Sequence, residues 1–263
     1  MNRMMARLRD GDLALGLSVR LAHAPNVAAI ARTCGYHWLF IDLEHGPMAF
    51  DTACAVATAA LEAGVTPVFR VPGHDPADAN RALTNGALGI IYPHVDTPQQ
   101  ALACARTARF APAGIRGVPA IFPQMGYDKP RLADAIRVLN AETSVIVMIE
   151  SREAVENADR IAAQPGVDAL FVGASDLSVE MGVPGEYRDP ALREALSHVA
   201  DCALRHGRIA GLGGIGDDEV LAALVGQGYR MLLAGNDLDF FMRAATQRAA
   251  ALRAMHPAPA EGG

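Results

Sequence analysis

Two patterns alternate along the chain. Short apolar runs rich in branched and aromatic residues are separated by Ala-rich stretches in which apolar positions return every three or four residues. Near-continuous apolar runs predict strands buried on both faces, and the three-to-four spacing predicts amphipathic helices. Strands are predicted at 13–19 (LALGLSV), 37–42 (HWLFID), 66–71 (TPVFRV), 87–92 (ALGIIY), 144–150 (SVIVMIE), 168–173 (DALFVG), 208–213 (RIAGLG) and 229–234 (YRMLLA). Helices are predicted at 25–33, 50–62, 76–84, 97–108, 152–163, 190–205, 217–226 and 237–254. Pro25, Pro76, Pro98 and Pro190 stand at helix starts, where a missing N–H costs nothing, and Gly35, Gly64, Gly86, Gly207 and Gly228 follow helix ends.

Eight strand–helix units in 263 residues predict a single-domain (β/α)8 TIM barrel over residues 1–255, with a frayed Pro/Gly-rich tail at 256–263 (HPAPAEGG). A doubly wound sheet is the competing arrangement, and the unit count favours the barrel. The stretch 109–143 breaks the rhythm, with one helix expected at 130–140. A connection that long in a compact domain tends to be functional.

Barrel chemistry sits at the C-terminal ends of strands. Strand two ends in Asp42, Glu44 and His45 (FIDLEHGP), strand three in Arg70, strand five in Glu150, and strand six runs into Ser175 and Asp176 (LFVGASDLS). Any one of these has a plainer reading as a cap for the following helix, and Ser175 and Asp176 fit it. Four strand ends together point to a site. Glu150 and Asp176 come from adjacent strands and would repel without a cation between them. Two hard oxygen ligands suit Mg²⁺ or Mn²⁺. His45 titrates near neutrality and is a base candidate, and Arg70 suits a substrate oxyanion. Backbone N–H groups at Ser175 and Asp176 suit a substrate carboxylate.

IDLEHGP, PVFRVP, PAGIRG (112–117), the Ile–Glu at 149–150 and VGASDLSVEMG (172–182) together resemble the HpcH/HpaI family of metal-dependent pyruvate aldolases, in order over roughly 13–240. The resemblance implies a TIM barrel whose last helix is exchanged between subunits, in homo-oligomers built from dimers, commonly hexamers. It implies a divalent metal (Mg²⁺, Mn²⁺ or Co²⁺) on Glu150 and Asp176, His45 as base and Arg70 at the enolate. It also implies pyruvate held by backbone at Ser175 and Asp176. Asp42 would orient His45 or a water on the metal, and Leu212 would touch the substrate's variable end. The implied reaction is reversible cleavage of a 4-hydroxy-2-oxo acid to pyruvate plus an aldehyde. Two positions depart from the family pattern. Met148 stands where a Gln often contacts substrate, and Thr84 stands where an acid often tunes the histidine. Alternatives are a CoA-thioester lyase of the citrate-lyase branch, and a non-catalytic 2-oxo-acid binder.

Composition narrows the rest. Net charge is −6 without a basic run, so neither nucleic acid nor membrane is an expected partner. Cys34, Cys54, Cys104 and Cys202 are scattered and read as reduced core thiols of a cytoplasmic protein without a secretory signal. Lys129 is the single lysine among 23 basic residues and lies in a loop, so Schiff-base and PLP chemistry are not expected. GLGGIG (211–216) matches a dinucleotide fingerprint, yet one strand follows it, so NAD is not expected and a pocket-lining turn is. His23, His74 and His94 read as pocket-lining or solvated, Tyr92 as core, and Thr97 with Asp96 as a cap. Arg116 is a candidate grip for a distal carboxylate, or else a solvated loop arginine.

Overall fold

The protein is described by a computed structural model covering residues 2–255, so the predicted tail at 256–263 lies outside the described residues. Eight parallel strands close in chain order: β1 (Ala14–Ser18), β2 (Trp38–Asp42), β3 (Thr66–Arg70), β4 (Gly89–Tyr92), β5 (Ser144–Ile149), β6 (Ala169–Gly173), β7 (Ile209–Gly213) and β8 (Tyr229–Asn236). β8 pairs with β1, which makes a barrel and not an open sheet. An N-terminal helix, α1 (Arg3–Arg9), precedes β1. Around the barrel run α2 (Val27–Thr33), α3 (Phe50–Ala63), α4 (Pro76–Thr84), α5 (Pro98–Thr107), α6 (Leu132–Glu142), α7 (Arg152–Glu156), α8 (Ala158–Ala162), α9 (Ala174–Glu180), α10 (Pro190–Arg205), α11 (Asp218–Gly226) and α12 (Asp237–Arg253). Among the described residues no helix is long and apolar enough to cross a membrane.

Strand alternation sorts side chains into two cores. Leu39, Ile41, Phe69, Val145, Val147, Leu170 and Val172 face the helices. Trp38, Phe40, Val68, Ile146, Met148, Phe171 and Met231 fill the interior. α1 closes the lower end: Met4, Met5 and Leu8 join the interior core from below, and Asn2 caps α1 while donating to Leu88 O at 3.2 Å. Trp38 fits above them because Gly16 has no side chain, since a Cβ there would lie 2.2 Å from the indole. Its Nε1 donates to Ala14 O at 3.1 Å. The lower end is therefore sealed with apolar side chains, and polar groups collect at the other end.

Several elements depart from expectation. α1 and α9 were not anticipated. The helix expected at 152–163 is two, broken at Asn157, whose side chain leaves the helix to donate to Asp96 O at 2.8 Å. Cys104 and Cys202 are buried, but Cys34 is exposed and Cys54 half-buried, so only two of the four thiols belong to the core. The segment 109–131 packs Phe110 and Phe122 against Ala135 and Leu139 of α6 in a small separate core. It docks on the C-terminal end of α4, where Arg116 Nη2 donates to Leu83 O (3.0 Å) and Gln124 Nε2 to Ala87 O (2.9 Å). None of its residues lines the cavity at the C-terminal ends of the strands.

Candidate active site

The register of β2 and β3 sets Asp42 beside Arg70, and both are the last interior-facing residues of their strands. The guanidinium forks onto the carboxylate, with Nε to Oδ1 at 2.9 Å and Nη2 to Oδ2 at 2.7 Å. Its third nitrogen, Nη1, lies 3.0 Å from Glu44 Oε2. That contact lacks hydrogen-bond geometry, so Glu44 Oε2 is buried without a hydrogen-bonded partner. The Phe40 ring lies 5.2 Å below the guanidinium carbon. Burial pushes the Asp42 carboxyl up, but the bonds and charge of Arg70 and the N–H groups of His45 and Glu44 outweigh it and hold it below the usual range. Asp42 therefore holds Arg70 and the turn after β2. It meets His45 through the backbone N–H (3.2 Å), while both carboxylate oxygens are engaged by Arg70.

Glu150 follows β5 with the interior-facing parity of Ile146 and Met148 and is 5% exposed. Its carboxylate lies across Gly173, where a Cβ would sit 2.5 Å from Oε1, so the glycine at the end of β6 makes room for it. Burial raises the Glu150 carboxyl above the usual range, and Asp176 adds to this. The N–H and imidazole of His94 and the charge of Arg70 oppose the rise without cancelling it. Asp176 is exposed in the first turn of α9. Two nearby carboxylates, one buried and held reluctantly as an anion, fit a hard divalent cation with few protein ligands. Among the described residues no group of three or more His, Cys, Asp or Glu side chains could hold a metal, so a pair is what this barrel end offers.

His94 is the residue that sequence reasoning missed. It has a left-handed backbone, φ 52°, uncommon for a residue with a side chain. That conformation turns both its N–H (3.0 Å) and its Nδ1 (3.4 Å) toward Glu150 Oε2, while Nε2 lies 3.2 Å from Glu44 Oε1. Each ring nitrogen thus faces a carboxylate. His45 is as exposed as His94, 62% for each side chain, but differs in that its nearest acid, Glu44 Oε2, is 3.9 Å away. Among the described residues its nitrogens are left to meet a substrate. Of the other histidines, Nε2 of His74 lies 2.7 Å from Pro93 O and that of His23 lies 3.1 Å from Arg20 O.

Asp42, His45, Arg70 and Asp176 rim a cavity of about 460 Å³, floored by Phe40, Met148 and Phe171 and bounded by Ser175 and the turn Gly213–Gly216. Gly214 (φ 94°) lets that turn close on Ser175, whose Oγ would be 2.7 Å from a Cβ there. GLGGIG thus ends β7 of a closed barrel and lines the cavity. Three expectations are corrected. Leu212 has the outward parity of β7, is buried against the helices and does not line the cavity. Thr84 ends α4 and lines a different hollow with Cys54, Asn85 and Ile121, so within this chain it does not share the cavity of His45. Arg116 is 4% exposed beneath its loop and stacked 4.3 Å from the Phe110 ring, so it grips no ligand in this cavity. Met148 does reach the cavity, as an apolar floor. Lys129 lies in an exposed loop away from it.

The sequence profile of the HpcH/HpaI aldolase/citrate lyase family matches residues 17–244. The chain belongs to that family. It is 36% identical over 255 residues to a 4-hydroxy-4-methyl-2-oxoglutarate aldolase of Chaetomium globosum, covering 95% of each chain. It is 32% identical to a hydroxypyruvate/pyruvate aldolase of Sagittula stellata, covering 95% of this chain and 97% of that one. A crystal structure of an HpcH/HpaI aldolase from Desulfitobacterium hafniense superposes with a TM-score of 0.90 at 27% identity, covering 100% of both chains. The protein is an HpcH/HpaI-family enzyme built on a closed eight-stranded barrel.

Proposed function

We propose that this enzyme is a divalent-metal-dependent aldehyde-lyase that reversibly cleaves a 4-hydroxy-2-oxo acid to pyruvate, or a close 2-oxo acid, and a carbonyl acceptor. The observation that carries the reading is Arg70. It is buried, fixed by Asp42 and Glu44, and shares one cavity with Asp176 and an unengaged His45. Glu150 and Asp176 would hold the ion, which supplies Lewis-acid charge at the 2-oxo oxygen. The first-turn N–H groups of α9 at Ser175 and Asp176 have no intrahelical acceptor and suit the substrate carboxylate. His45 takes the proton of the C4 hydroxyl. The C3–C4 bond then breaks, its electron pair moves into C3, and Arg70 offers fixed positive charge where enolate charge develops. Returning a proton to C3 completes pyruvate. His45 is favoured over His94 as the base because both His94 nitrogens face carboxylates.

The test is pyruvate release from a 4-hydroxy-2-oxo acid. Chelation should abolish it, and Mg²⁺, Mn²⁺ or Co²⁺ should restore it. Full turnover after exhaustive chelation, or borohydride trapping of substrate on Lys129, contradicts the reading. A homo-oligomer with α12 exchanged between subunits is part of the same proposal. It is supported by an α12 that buries none of its residues and leaves Phe241 and Met242 exposed.

A further inference from the structure

The connection between α9 and α10, residues 181–189, takes no part in the chemistry above and does not line the cavity, yet it is built onto the element that carries Asp176. α9 has seven residues, too few to be stable alone, so its neighbours must hold it. Its end is held by Arg152, which donates to Glu180 O (Nε, 3.2 Å) and Met181 O (Nη2, 2.7 Å). Its middle is held by the fully buried Ser178. Ser178 Oγ donates to Ser175 O (2.6 Å) and accepts from the Gly185 N–H (3.0 Å), while Ser178 O accepts the Val183 N–H (2.8 Å). Its start meets Tyr187, whose hydroxyl lies 3.3 Å from Ser175 Oγ. The Tyr187 ring is half-buried and packs against the helix-side core, so the hydroxyl is presented from a fixed base. On its other side Ser175 Oγ is confined by the turn at Gly214. The next residue, Arg188, forks onto Asp217, with Nε to Oδ2 at 2.7 Å and Nη2 to Oδ1 at 3.2 Å, and Nη2 also reaches Glu219 at 2.8 Å. Asp217 is the N-cap of α11, so the fork anchors the connection to a second helix. An exposed ion pair adds little stability by itself, but a two-bonded fork fixes direction.

We propose that Tyr187 is a positioning residue for the cavity: through Ser175 it fixes the first turn of α9, and with it the direction of Asp176, while Arg188 keeps Tyr187 in place. This rests on the reading above, in which Asp176 shares an ion with Glu150. Glu150 is buried and set by its strand, whereas Asp176 is exposed on a short helix, so the second ligand is the one that needs outside support. Groups that orient a ligand govern metal affinity almost as the ligand does. Tyr187 has no place in the cavity wall and acts through Ser175.

The experiment is Mn²⁺ binding to the full-length protein without substrate, read as loss of the free-ion signal in electron paramagnetic resonance. Tyr187→Phe removes one hydroxyl and should weaken binding ~3–10-fold, the scale of one hydrogen bond, with an unchanged far-ultraviolet spectrum. Arg188→Gln should weaken it in the same direction. Ser175→Ala should weaken it as much as Tyr187→Phe does. Adding Tyr187→Phe to Ser175→Ala should then cost nothing more, because the hydroxyl has already lost its partner. A merely structural loss at Tyr187 would instead add in full. Wild-type affinity in Tyr187→Phe or Arg188→Gln, or a full added cost in the double variant, would overturn the proposal and leave the metal reading standing. Absence of Mn²⁺ binding by the wild type would overturn both.

Discussion

Arg70 meets two carboxylates and still presents its charge to the cavity, because the strand register sets Asp42 at its own level and the turn after β2 brings Glu44 to its third nitrogen. Lysine cannot span those contacts. Arg70→Lys should lower kcat ~10²–10³-fold, as loss of a preorganised group at a developing oxyanion does, and steady-state kinetics on a 4-hydroxy-2-oxo acid checks it. Glu150 is the costly residue of the site, since burial disfavours its charge. Its raised pKa means the folded state favours the protonated form, so the cost grows as pH rises past the unfolded value of about 4.3. Glu150→Gln should therefore stabilise the metal-free protein at pH 7, by ~2–4 °C in Tm for about 1 kcal/mol. It should also remove Mg²⁺ binding, and its gain in Tm should fade below about pH 4, where the wild-type group is protonated. Scanning calorimetry across pH reads all of this. Asp42, Arg70 and Glu150 were legible in the sequence because they end strands with interior parity. Leu212 has the opposite parity, which the motif GLGGIG hides. His94 was illegible because what recruits it is a positive φ, and nothing in YPHVD announces one.

The paired strand ends decide the site's shape at the next scale. β5 delivers Glu150 into space that β6 leaves open at Gly173. Gly173→Ala should keep the barrel, seen as an unchanged far-ultraviolet spectrum, and weaken Mg²⁺ affinity ~10–100-fold, the usual effect of disturbing a ligand's support. Wild-type affinity would mean that Glu150 is free to move aside. Most strands and helices were readable because Pro starts and Gly ends punctuate an apolar rhythm. α1 carried a signal too, with Met4 and Leu8 one turn apart behind the cap Asn2, but so short a helix is stabilised by what it plugs, which lies elsewhere in the chain. The break at Asn157 is likewise tertiary: the side chain serves Asp96 O at the head of α5.

Barrel closure was legible from the count of units, because eight strand–helix repeats over about 250 residues favour a closed barrel over a doubly wound sheet. The uncovered face of α12 was not, since its apolar residues read as an ordinary amphipathic helix until the fold shows that none is buried. Sedimentation should find a homo-oligomer, and replacing Phe241 and Met242 with Ser should shift it toward smaller species. The proposed chemistry reduces to proton traffic at pyruvate C3, with His45 as the proposed base and Glu150 and Asp176 as the proposed ligands of the ion. It is watched directly by proton NMR of pyruvate in D₂O with purified enzyme and Mg²⁺. Wild type should wash deuterium into the methyl group. His45→Ala should slow this ~10²–10⁴-fold, the worth of a general base, and EDTA should stop it. Wild-type exchange rates in His45→Ala, or no exchange by the Mg²⁺-loaded enzyme, would contradict the assignment.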